Sequence, residues 1–350
     1  MSSNMENIRV LVRGLGNMGS GMAKMVIDKE GLDLVGGVAG RPNKVGKDVG
    51  EVVGREAIGV NVNNDLVAEI KDKKPDVVLQ ANTSFTKDAF PEIKEILEQG
   101  VNVISIAEEM AYPSVQEKEL AQQMDEIAKK NGVSVLGTGV NPGFVLDTLI
   151  IALSGGAISV DSIKASRVND LSPFGATVMK TQGVGTTVEE FNKGVEEGTI
   201  VGHVGFPESI YMIADALGIT LDKIEETREP IVSETYRETE HVKVEPGMVA
   251  GCRHVGKGFK DGEELIVLEH PQQIHPDKEG VDTGDYIYIK GNPEINMSIN
   301  PEVPGGVGTI ATAVNMIPLL VDAPAGLTSM KDLPVPRAIV GDVKKIMGRR

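Results

Sequence analysis

Cysteine and aromatic residues are scarce in this sequence. Its 350 residues include one cysteine, Cys252, no tryptophan and only 3% aromatic residues. A single cysteine excludes an intrachain disulfide and a zinc site built from several cysteines. The hydrophobic core must therefore consist of Val, Ile, Leu, Ala and Met, and a hydrophobic content of 41% is ample for a globular protein.

Positive charge and long apolar runs are lacking as well. The formal net charge is −16, which argues against a nucleic-acid or anionic-membrane surface, where a basic stripe is expected. No run approaches the ~18 apolar residues of a membrane span, and the N-terminus lacks the basic and apolar regions of a signal peptide. No Cys, His and Asp cluster has the spacing of metal ligands. We therefore expect a soluble, cytoplasmic protein without metal, nucleic-acid or membrane partners.

The first part of the chain alternates short apolar runs with helical patterns, as in a parallel sheet covered by helices on both faces. The predicted strands cover residues 8–13, 32–40, 75–82, 101–107 and 133–139. The helices predicted between them are Met18–Asp28, Leu66–Lys71, Phe90–Gln99 and Val115–Lys130. Residues 1–145 are therefore predicted to be one domain of the α/β class with a Rossmann-type, doubly wound parallel sheet.

Longer strands and more turns follow Asp147. The predicted extended segments are 161–170, 228–247, 263–272 and 282–291, and a helical pattern returns at 308–323. We predict a second, α+β domain over residues 146–305, built on a mixed or antiparallel sheet, which binds substrate and forms a homodimer. Residues 306–350 are predicted to be a C-terminal helix and tail that return to the first domain.

A glycine pattern lies between the first predicted strand and the first predicted helix. The motif G-x-G-x-x-G comprises Gly14, Gly16 and Gly19. In this position the glycines allow a tight turn, the approach of backbone to a pyrophosphate, and close packing of helix on strand. The alternative is a turn that is merely rich in glycine. We therefore predict that residues 1–145 form a dinucleotide-binding domain, to which Asn17, Met18, Asn82 and Thr83 contribute further cofactor contacts.

The end of the second predicted strand indicates which dinucleotide binds. NAD enzymes usually carry an acidic residue there for the ribose 2′-hydroxyl. This chain has Ala39 and Gly40 instead, followed by Arg41 and, shortly after, Lys44. The missing carboxylate and adjacent cations favour NADP, with Arg41 on its 2′-phosphate. If Arg41 is an ordinary solvated cation, NAD remains a possible cofactor.

Two carboxylates follow the fourth predicted strand, at Glu108 and Glu109. In an open parallel sheet, ligands bind outside the carboxyl ends of the strands. Acidic residues also favour the first turn of a helix, which is the ordinary explanation for at least one of the two. We predict that the other one is catalytic.

The second domain offers polar groups suited to an amino-acid substrate. Arg167 and Asn169 are two residues apart on a predicted strand and so share a face. An Arg with an Asn on the same face could hold a carboxylate bidentately. Asn141 lies just past a strand end, His203 lies between glycines and His270 ends a predicted strand, and a histidine of this kind, taken alone, is more often structural than functional.

Several stretches resemble one enzyme family along nearly the whole chain. They are GLGNMGSGMAKM, AEEMAYPS, GTGVNPGFVLDTLI, RVNDLSPFG, KTQGVGTTVEEF, GHVGFPESI and APAGLTSMKDLP. They are similar to the 2,4-diaminopentanoate dehydrogenases, which are NAD(P)-dependent oxidative deaminases of ornithine fermentation related to the native amine dehydrogenases. Their N-terminal domain is similar to that of dihydrodipicolinate reductase, but the His-His pair and downstream Lys of that reductase are not seen here.

The resemblance implies oxidation of 2,4-diaminopentanoate at C4, giving 2-amino-4-oxopentanoate and ammonia. Glu108 matches the position of the catalytic glutamate of the amine dehydrogenases, as the first residue past the strand, and Glu109 is the alternative. The residues expected to hold the α-amino acid end are Asn141, Arg167, Asn169, His203 and His270. The alternatives are an amine dehydrogenase acting on a simpler amine or ketone, a reductase similar to dihydrodipicolinate reductase, and a catalytically silent NADP-sensing protein.

Overall fold

The computed structural model describes residues 6–347. Its internal contacts divide the chain into two compact units. The first unit comprises the residues up to Phe144 together with those from Pro304 onward, and the second unit comprises Val145–Val303. The C-terminal residues thus belong to the first unit. The substrate-binding and dimer-forming roles given to the second domain stay predictions.

The strands, in chain order, are β1 (Ile8–Arg13), β2 (Leu32–Val38), β3 (Val62–Asn63), β4 (Val77–Gln80), β5 (Asn102–Ser105), β6 (Ser134–Gly137), β7 (Ser159–Asp170), β8 (Lys223–Val232), β9 (Arg237–Glu238), β10 (Lys243–Val244), β11 (Val249–Lys260), β12 (Glu263–Gln273), β13 (Gly284–Asn292), β14 (Ile295–Ile299) and β15 (Gly326–Thr328). The helices are α1 (Asn17–Ile27), α2 (Val49–Val52), α3 (Leu66–Lys73), α4 (Thr86–Glu98), α5 (Lys118–Asn131), α6 (Thr148–Ser154), α7 (Ala176–Thr181), α8 (Val188–Glu196), α9 (Phe206–Ala216) and α10 (Gly305–Val321).

The first unit is built on a parallel sheet with strand order β15-β6-β5-β4-β1-β2-β3. The chain runs outward from β1 to β3, returns to β4 and then runs outward in the other direction. This doubly wound order has its switch point between β1 and β4, where ligands of open α/β sheets bind. The predicted fold class is confirmed for this unit.

Helices cover both faces of the parallel sheet, which explains the apolar runs of its strands. All four residues of β4 are buried, as expected for a strand covered on both sides. On one face α4 buries Ala89, Ile93, Ile96 and Leu97, a spacing that follows the helical repeat. On the other face α1 and α10 pack against β4. Helix α4 begins at Thr86 rather than at the predicted Phe90, so the sequence pattern missed its first turn.

The second unit is built on a mixed sheet with strand order β14-β13-β7-β12-β11-β8. Strands β7 and β12 are parallel, whereas the other neighbours in this sheet are antiparallel. The predicted mixed sheet is confirmed. The predicted extended segment 228–247 is wrong as a single strand, because the chain leaves β8 at Val232 and then forms the separate β9–β10 pair.

Strand β11 was not predicted, because its glycines lower the apparent strand propensity. The structure gives these glycines a packing reason. A Cβ atom on Gly256 would lie 3.0 Å from the Phe206 side chain, and one on Gly258 would lie 2.8 Å from Ile210. Phe206 and Ile210 belong to α9, which therefore packs closely on this strand. None of the helices within residues 6–347 is long and apolar enough to cross a membrane.

Candidate active site

The glycine turn joins β1 to α1 in the first unit, and each glycine has a distinct geometric reason. Gly14 has φ +94°, and a Cβ atom there would lie 2.6 Å from the Ala81 carbonyl oxygen. A Cβ on Gly19 would lie 1.6 Å from the Gly14 carbonyl oxygen, so α1 can only pack here without a side chain. At Gly16, no heavy atom of the described residues comes within 4 Å of the Cβ position. This open position lets an anion approach the backbone, so the turn fits a dinucleotide pyrophosphate.

The remaining predicted cofactor residues lie at this turn and after β4. Asn17 and Met18 are the first two residues of α1. Asn82 Nδ2 donates to Glu92 Oε2 at 2.8 Å, whereas the Thr83 hydroxyl lies 3.5 Å from an Asp88 oxygen. The loop after β4 is thus tied to α4.

The loop after β2 carries the predicted cations. Arg41 is exposed, and Lys44 Nζ donates to the Leu15 carbonyl oxygen inside the glycine turn at 2.5 Å. A cavity of about 450 Å³ beside this loop is lined by Asn43, Lys44, Lys47, Glu51 and Val52. Lys47 was not singled out from the sequence. The structure therefore places a second lysine, Lys47, beside Lys44 on the loop after β2 and holds Lys44 against the glycine turn. We call this loop, with Arg41, Lys44 and Lys47, the cofactor edge.

Glu108 and Glu109 begin a short 3₁₀ helix, Glu108–Ala111. Strand β5 ends at Ser105, so the description of Glu108 as the first residue past the strand is wrong. The reason is local, because the Ser105 hydroxyl accepts a hydrogen bond from the Ala107 amide and turns the chain out of the sheet. Glu108 is consequently the third residue after the strand.

The two glutamates have different surroundings. Glu109 Oε2 accepts a hydrogen bond of 2.8 Å from the amide of Thr86, the first residue of α4. That contact is a structural one at a helix N-terminus. Burial raises the pKa of Glu108, the Ser84 hydroxyl lowers it in part, and the charge of Glu109 raises it further. A carboxyl group with a raised pKa is suited to proton transfer near neutral pH.

Asn141 also belongs to the first unit, in the loop after β6. Both polar atoms of its side chain are buried without a hydrogen-bond partner among the described residues, as is Oδ1 of Asn315 on α10. The loop is held to α10, since the Val140 amide donates to Thr309 Oγ1 at 3.2 Å. A buried amide without partners is costly, so these atoms are suited to a polar ligand.

In the second unit, Arg167 and Asn169 lie on the same buried face of β7. Arg167 is only 2% exposed, its NH1 lies 2.5 Å from Asp285 Oδ1, and its NH2 donates to the Val303 carbonyl. Arg167 is therefore already paired in the structure, and its role in holding a substrate carboxylate stays a prediction. A buried guanidinium without a counter-ion would be very costly, and Asp285 on β13 supplies that counter-ion.

The histidines of the second unit form a buried group beside Arg167. His270 Nδ1 lies 2.7 Å from the Arg167 carbonyl oxygen, and because a carbonyl only accepts, Nδ1 carries the proton. Burial, with a smaller effect of the Arg167 charge, lowers the pKa of His270 to about 3. The rings of His203 and His270 lie 5.0 Å apart, and burial also lowers the pKa of His203 well below its usual value. Both imidazoles are neutral at pH 7.

Two members of this polar group were missed from the sequence, His254 and Asp285. His254 on β11 is fully buried and lies directly opposite His270 on β12. The dipeptide Asp261-Gly262 between these strands is a hairpin signal that could have paired them. No comparable local signal pairs Asp285 with Arg167. Residues 6–347 contain no group of three or more His, Cys, Asp or Glu that could hold a metal ion.

Two family descriptions match different parts of the chain. Residues 144–349 match the family described as "2,4-diaminopentanoate dehydrogenase C-terminal domain", and residues 8–109 match "Dihydrodipicolinate reductase, N-terminus". The chain is 52% identical to 2,4-diaminopentanoate dehydrogenase of Acetoanaerobium sticklandii, over 98% of each chain. It is 27% identical to an amine dehydrogenase of Streptomyces virginiae, over 95% of this chain and 98% of the relative. The solved amine dehydrogenase of Mycobacterium smegmatis is 28% identical, covers 97% of this chain and 99% of its own, and gives a TM-score of 0.82.

Proposed function

Because the chain belongs to the 2,4-diaminopentanoate dehydrogenase family, we propose that it oxidatively deaminates 2,4-diaminopentanoate at C4, with NAD(P) as the hydride acceptor. The products are 2-amino-4-oxopentanoate and ammonia, and the reverse reaction is a reductive amination. The observation that carries the chemical part of this proposal is Glu108, a carboxyl group with a raised pKa in the same unit as the glycine turn.

Glu108 has three tasks in this reaction. It first accepts a proton from the C4 ammonium group, because only a neutral amine can release hydride from its carbon. The nicotinamide group, when bound, accepts that hydride. The Glu108 proton then passes to solvent, and the regenerated carboxylate stabilises the C4 iminium cation and takes a proton from the attacking water. Glu108 returns that proton to the amine nitrogen, ammonia leaves, and the freed carboxylate takes the hydroxyl proton as the C4 carbonyl forms.

The residues proposed to bind the amino-acid end of the substrate are Asn141, Arg167, Asn169, His203 and His270. Their buried polar atoms support this role, since Asn169 Oδ1 and His203 Nε2 have no hydrogen-bond partner among the described residues. The Arg167 charge is balanced by Asp285, and the two histidines are neutral. Such a group suits a zwitterionic α-amino acid head, which itself carries no net charge.

The cofactor preference that we propose is NADP, with NAD as the alternative. The absence of an acid at Ala39 and Gly40, together with Arg41, Lys44 and Lys47 on the following loop, supports a site for the 2′-phosphate. A cytoplasmic homodimer that serves ornithine degradation completes this proposal, and these three points rest on the sequence.

The test is an assay of nicotinamide absorbance with the purified protein. Incubation with 2,4-diaminopentanoate and NADP should give a steady increase of reduced cofactor and stoichiometric ammonia. A simple amine without a carboxylate serves as the comparison substrate, and NAD replaces NADP in a parallel series. If the diamino acid reduces neither cofactor, the proposal is overturned. If the simple amine is oxidised faster than the diamino acid, the simple amine is the better substrate and the proposed substrate is wrong.

A further inference from the structure

The short loop that precedes α9 carries His203 and is held firmly through its backbone. Arg228 Nε donates to the carbonyl of Val201 at 2.6 Å, and Gln182 Nε2 donates to the carbonyl of Gly202 at 2.8 Å. The amide of Val201 in turn donates to the Thr181 carbonyl at 3.0 Å. These contacts come from separate elements of the second unit, so the position of this loop is set from several directions.

His254 makes the contact nearest to His203 itself. The backbone amide of His203 donates to His254 Nδ1 at 3.0 Å. Gly202 has φ +69°, and a Cβ atom there would lie 2.9 Å from the same nitrogen. The loop thus lies directly on the imidazole, and only glycine permits this approach.

The contact with His203 fixes the tautomer of His254. Nδ1 must carry a lone pair to accept the amide proton, so the ring proton of neutral His254 is on Nε2. Nε2 lies 3.0 Å from Glu226 Oε1, close enough for electrostatic attraction between the N–H group and the carboxylate, although the two form no hydrogen bond of standard geometry. The Glu226 side chain is 27% exposed, and Arg228 lies 3.7 Å from the same oxygen. A carboxylate can only accept here, so it favours the tautomer that the loop requires.

The side chain held in this way ends in a buried nitrogen without a partner. His203 Nε2 has no hydrogen-bond partner among residues 6–347, and its ring packs against Phe206 at 4.9 Å and His270 at 5.0 Å. These apolar and ring contacts orient the imidazole but satisfy none of its hydrogen-bonding capacity. A ligand atom is therefore the partner that Nε2 lacks.

We propose that Glu226 and His254 are positioning residues that hold His203 in place for the amino-acid end of the substrate. Glu226 keeps the proton of His254 on Nε2, His254 Nδ1 holds the His203 amide, and the His203 ring is thereby presented to the substrate. The inference rests on the proposed function, and neither positioning residue contacts substrate. Interactions one layer behind a binding side chain commonly set its orientation and tautomer.

The kinetic test uses the full-length enzyme with 2,4-diaminopentanoate and saturating NADP. Glu226→Gln and His254→Phe should each raise KM about tenfold, the scale of one lost hydrogen bond, with kcat changed less than about threefold. His254→Asn should recover most of the affinity, because Asn Oδ1 can accept from the His203 amide in place of Nδ1. Glu225→Gln, which alters an exposed neighbour paired with Lys223, is the matched control and should leave KM unchanged.

A second measurement reads the tautomer without any substrate. In the NMR spectrum of protein with ¹⁵N-labelled histidine, the His254 signals should show a protonated Nε2 and an unprotonated Nδ1. These signals are identified by their absence from the spectrum of His254→Asn. Glu226→Gln should add the other tautomer, because a glutamine amide can donate to Nε2. An Nδ1-protonated His254 in the native chain, or an unchanged KM in both Glu226→Gln and His254→Phe, would overturn the proposal. An inactive native enzyme with the expected His254 signals would instead overturn the proposed substrate, while the contact between His254 and the His203 amide would remain supported.

Discussion

The two units assemble their polar groups in different ways. In the first unit, the glycine turn lies within the six positions after β1, and Glu108 follows a single strand, β5. In the second unit, the buried polar group combines Arg167 of β7, His270 of β12 and His254 of β11 with Asp285 of β13. The first arrangement is encoded by local sequence, whereas the second depends on the register of four strands.

This difference affects how the charges are stabilised. Glu108 is half-buried and keeps a raised pKa because few groups compensate its burial. Arg167 and Asp285 are almost completely buried and pair at 2.5 Å, and the Arg167 charge offsets only part of the burial that raises the pKa of Asp285. A substitution in the first unit should therefore change chemistry more than stability, and a substitution in the second should change stability first.

The largest expected effect tests the buried pair. Arg167→Met leaves the Asp285 carboxylate buried without its counter-ion, which should lower the free energy of unfolding by about 3–5 kcal/mol. Denaturant unfolding of the two proteins measures this difference. Arg253→Met is the matched control, because Arg253 is 39% exposed and pairs with Glu229 and Glu269 near the surface, where such pairs contribute about 0–1 kcal/mol.

A double variant separates stability from binding at the same pair. Arg167→Met with Asp285→Leu removes both charges and should recover most of the lost stability. If Arg167 also binds the substrate, the recovered protein should still show a raised KM for 2,4-diaminopentanoate. An Arg167→Met protein as stable as the Arg253→Met control would contradict the importance of the buried pair.

The second effect concerns catalysis in the first unit. Glu108→Gln keeps the shape of the side chain and removes the base, so kcat should fall by roughly 10²-fold or more. Cofactor affinity, measured by fluorescence titration, should stay nearly unchanged. Glu109→Gln is the control and should retain turnover. Because it weakens the contact with the Thr86 amide, it should lower the free energy of unfolding by about 1 kcal/mol. Near-normal turnover of Glu108→Gln would exclude it as the base.

The pH profile refines the Glu108 assignment. A base acts when deprotonated, so activity should fall as the pH falls through the raised pKa of Glu108. The Ser84 hydroxyl lowers that pKa by hydrogen bonding to the carboxylate, so Ser84→Ala should move the acidic limb of kcat/KM to higher pH. A limb that stays in place, or moves to lower pH, would mean that another group titrates.

The extent to which the sequence predicted these features follows the same contrast. Gly14, Gly16 and Gly19 were found because their spacing between a predicted strand and a predicted helix is visible along the chain, although the close approach of Ala81 to Gly14 is not. The structural contact of Glu109 could not be predicted, since it depends on α4 beginning at Thr86 and lying beside the 3₁₀ helix. The residue order therefore identified both glutamates without separating their tasks.

In the second unit, the sequence identified residues but missed their partners. Arg167 and Asn169 share a face by simple strand alternation, yet Asp285 is 118 residues away from Arg167 in sequence. His254 was missed because the glycines of β11 obscured the strand. The Asp261-Gly262 hairpin would have placed it close to His270, but a register shift at Gly258/Phe259 was needed to bring the two directly opposite.

The third effect concerns the cofactor edge of the first unit. Arg41→Ala should weaken NADP by about 1.5–3 kcal/mol, the range for a hydrogen bond to a charged group, and leave NAD nearly unaffected. Lys44→Ala should weaken both cofactors, because Lys44 also holds the Leu15 carbonyl in the glycine turn. Calorimetric titrations of both variants with both cofactors measure these differences. Equal losses of NADP and NAD in Arg41→Ala would show that Arg41 does not bind the 2′-phosphate.

The smallest expected effect is a pH-dependence of stability in the second unit. His270 has a pKa of about 3 when folded, because burial and the Arg167 charge oppose its protonation, against about 6.5 when unfolded. Above pH 6.5 the ring is neutral in both states and does not lower the free energy of unfolding. Between pH 6.5 and pH 3 His270 is protonated in the unfolded chain but not in the folded one. Stability should therefore fall with falling pH over this window, by about 2 kcal/mol at pH 5 from this one group.

His270→Gln tests that contribution, because glutamine keeps a polar side chain and does not titrate. Between pH 7 and pH 5, the free energy of unfolding should fall by about 2 kcal/mol less in His270→Gln than in the native chain. His241→Gln, at an exposed position, should leave the slope as it is. Parallel slopes for the native chain and His270→Gln would mean that the ring accepts a proton in the folded protein. The conclusion that the buried histidines of the second unit are neutral would then be wrong.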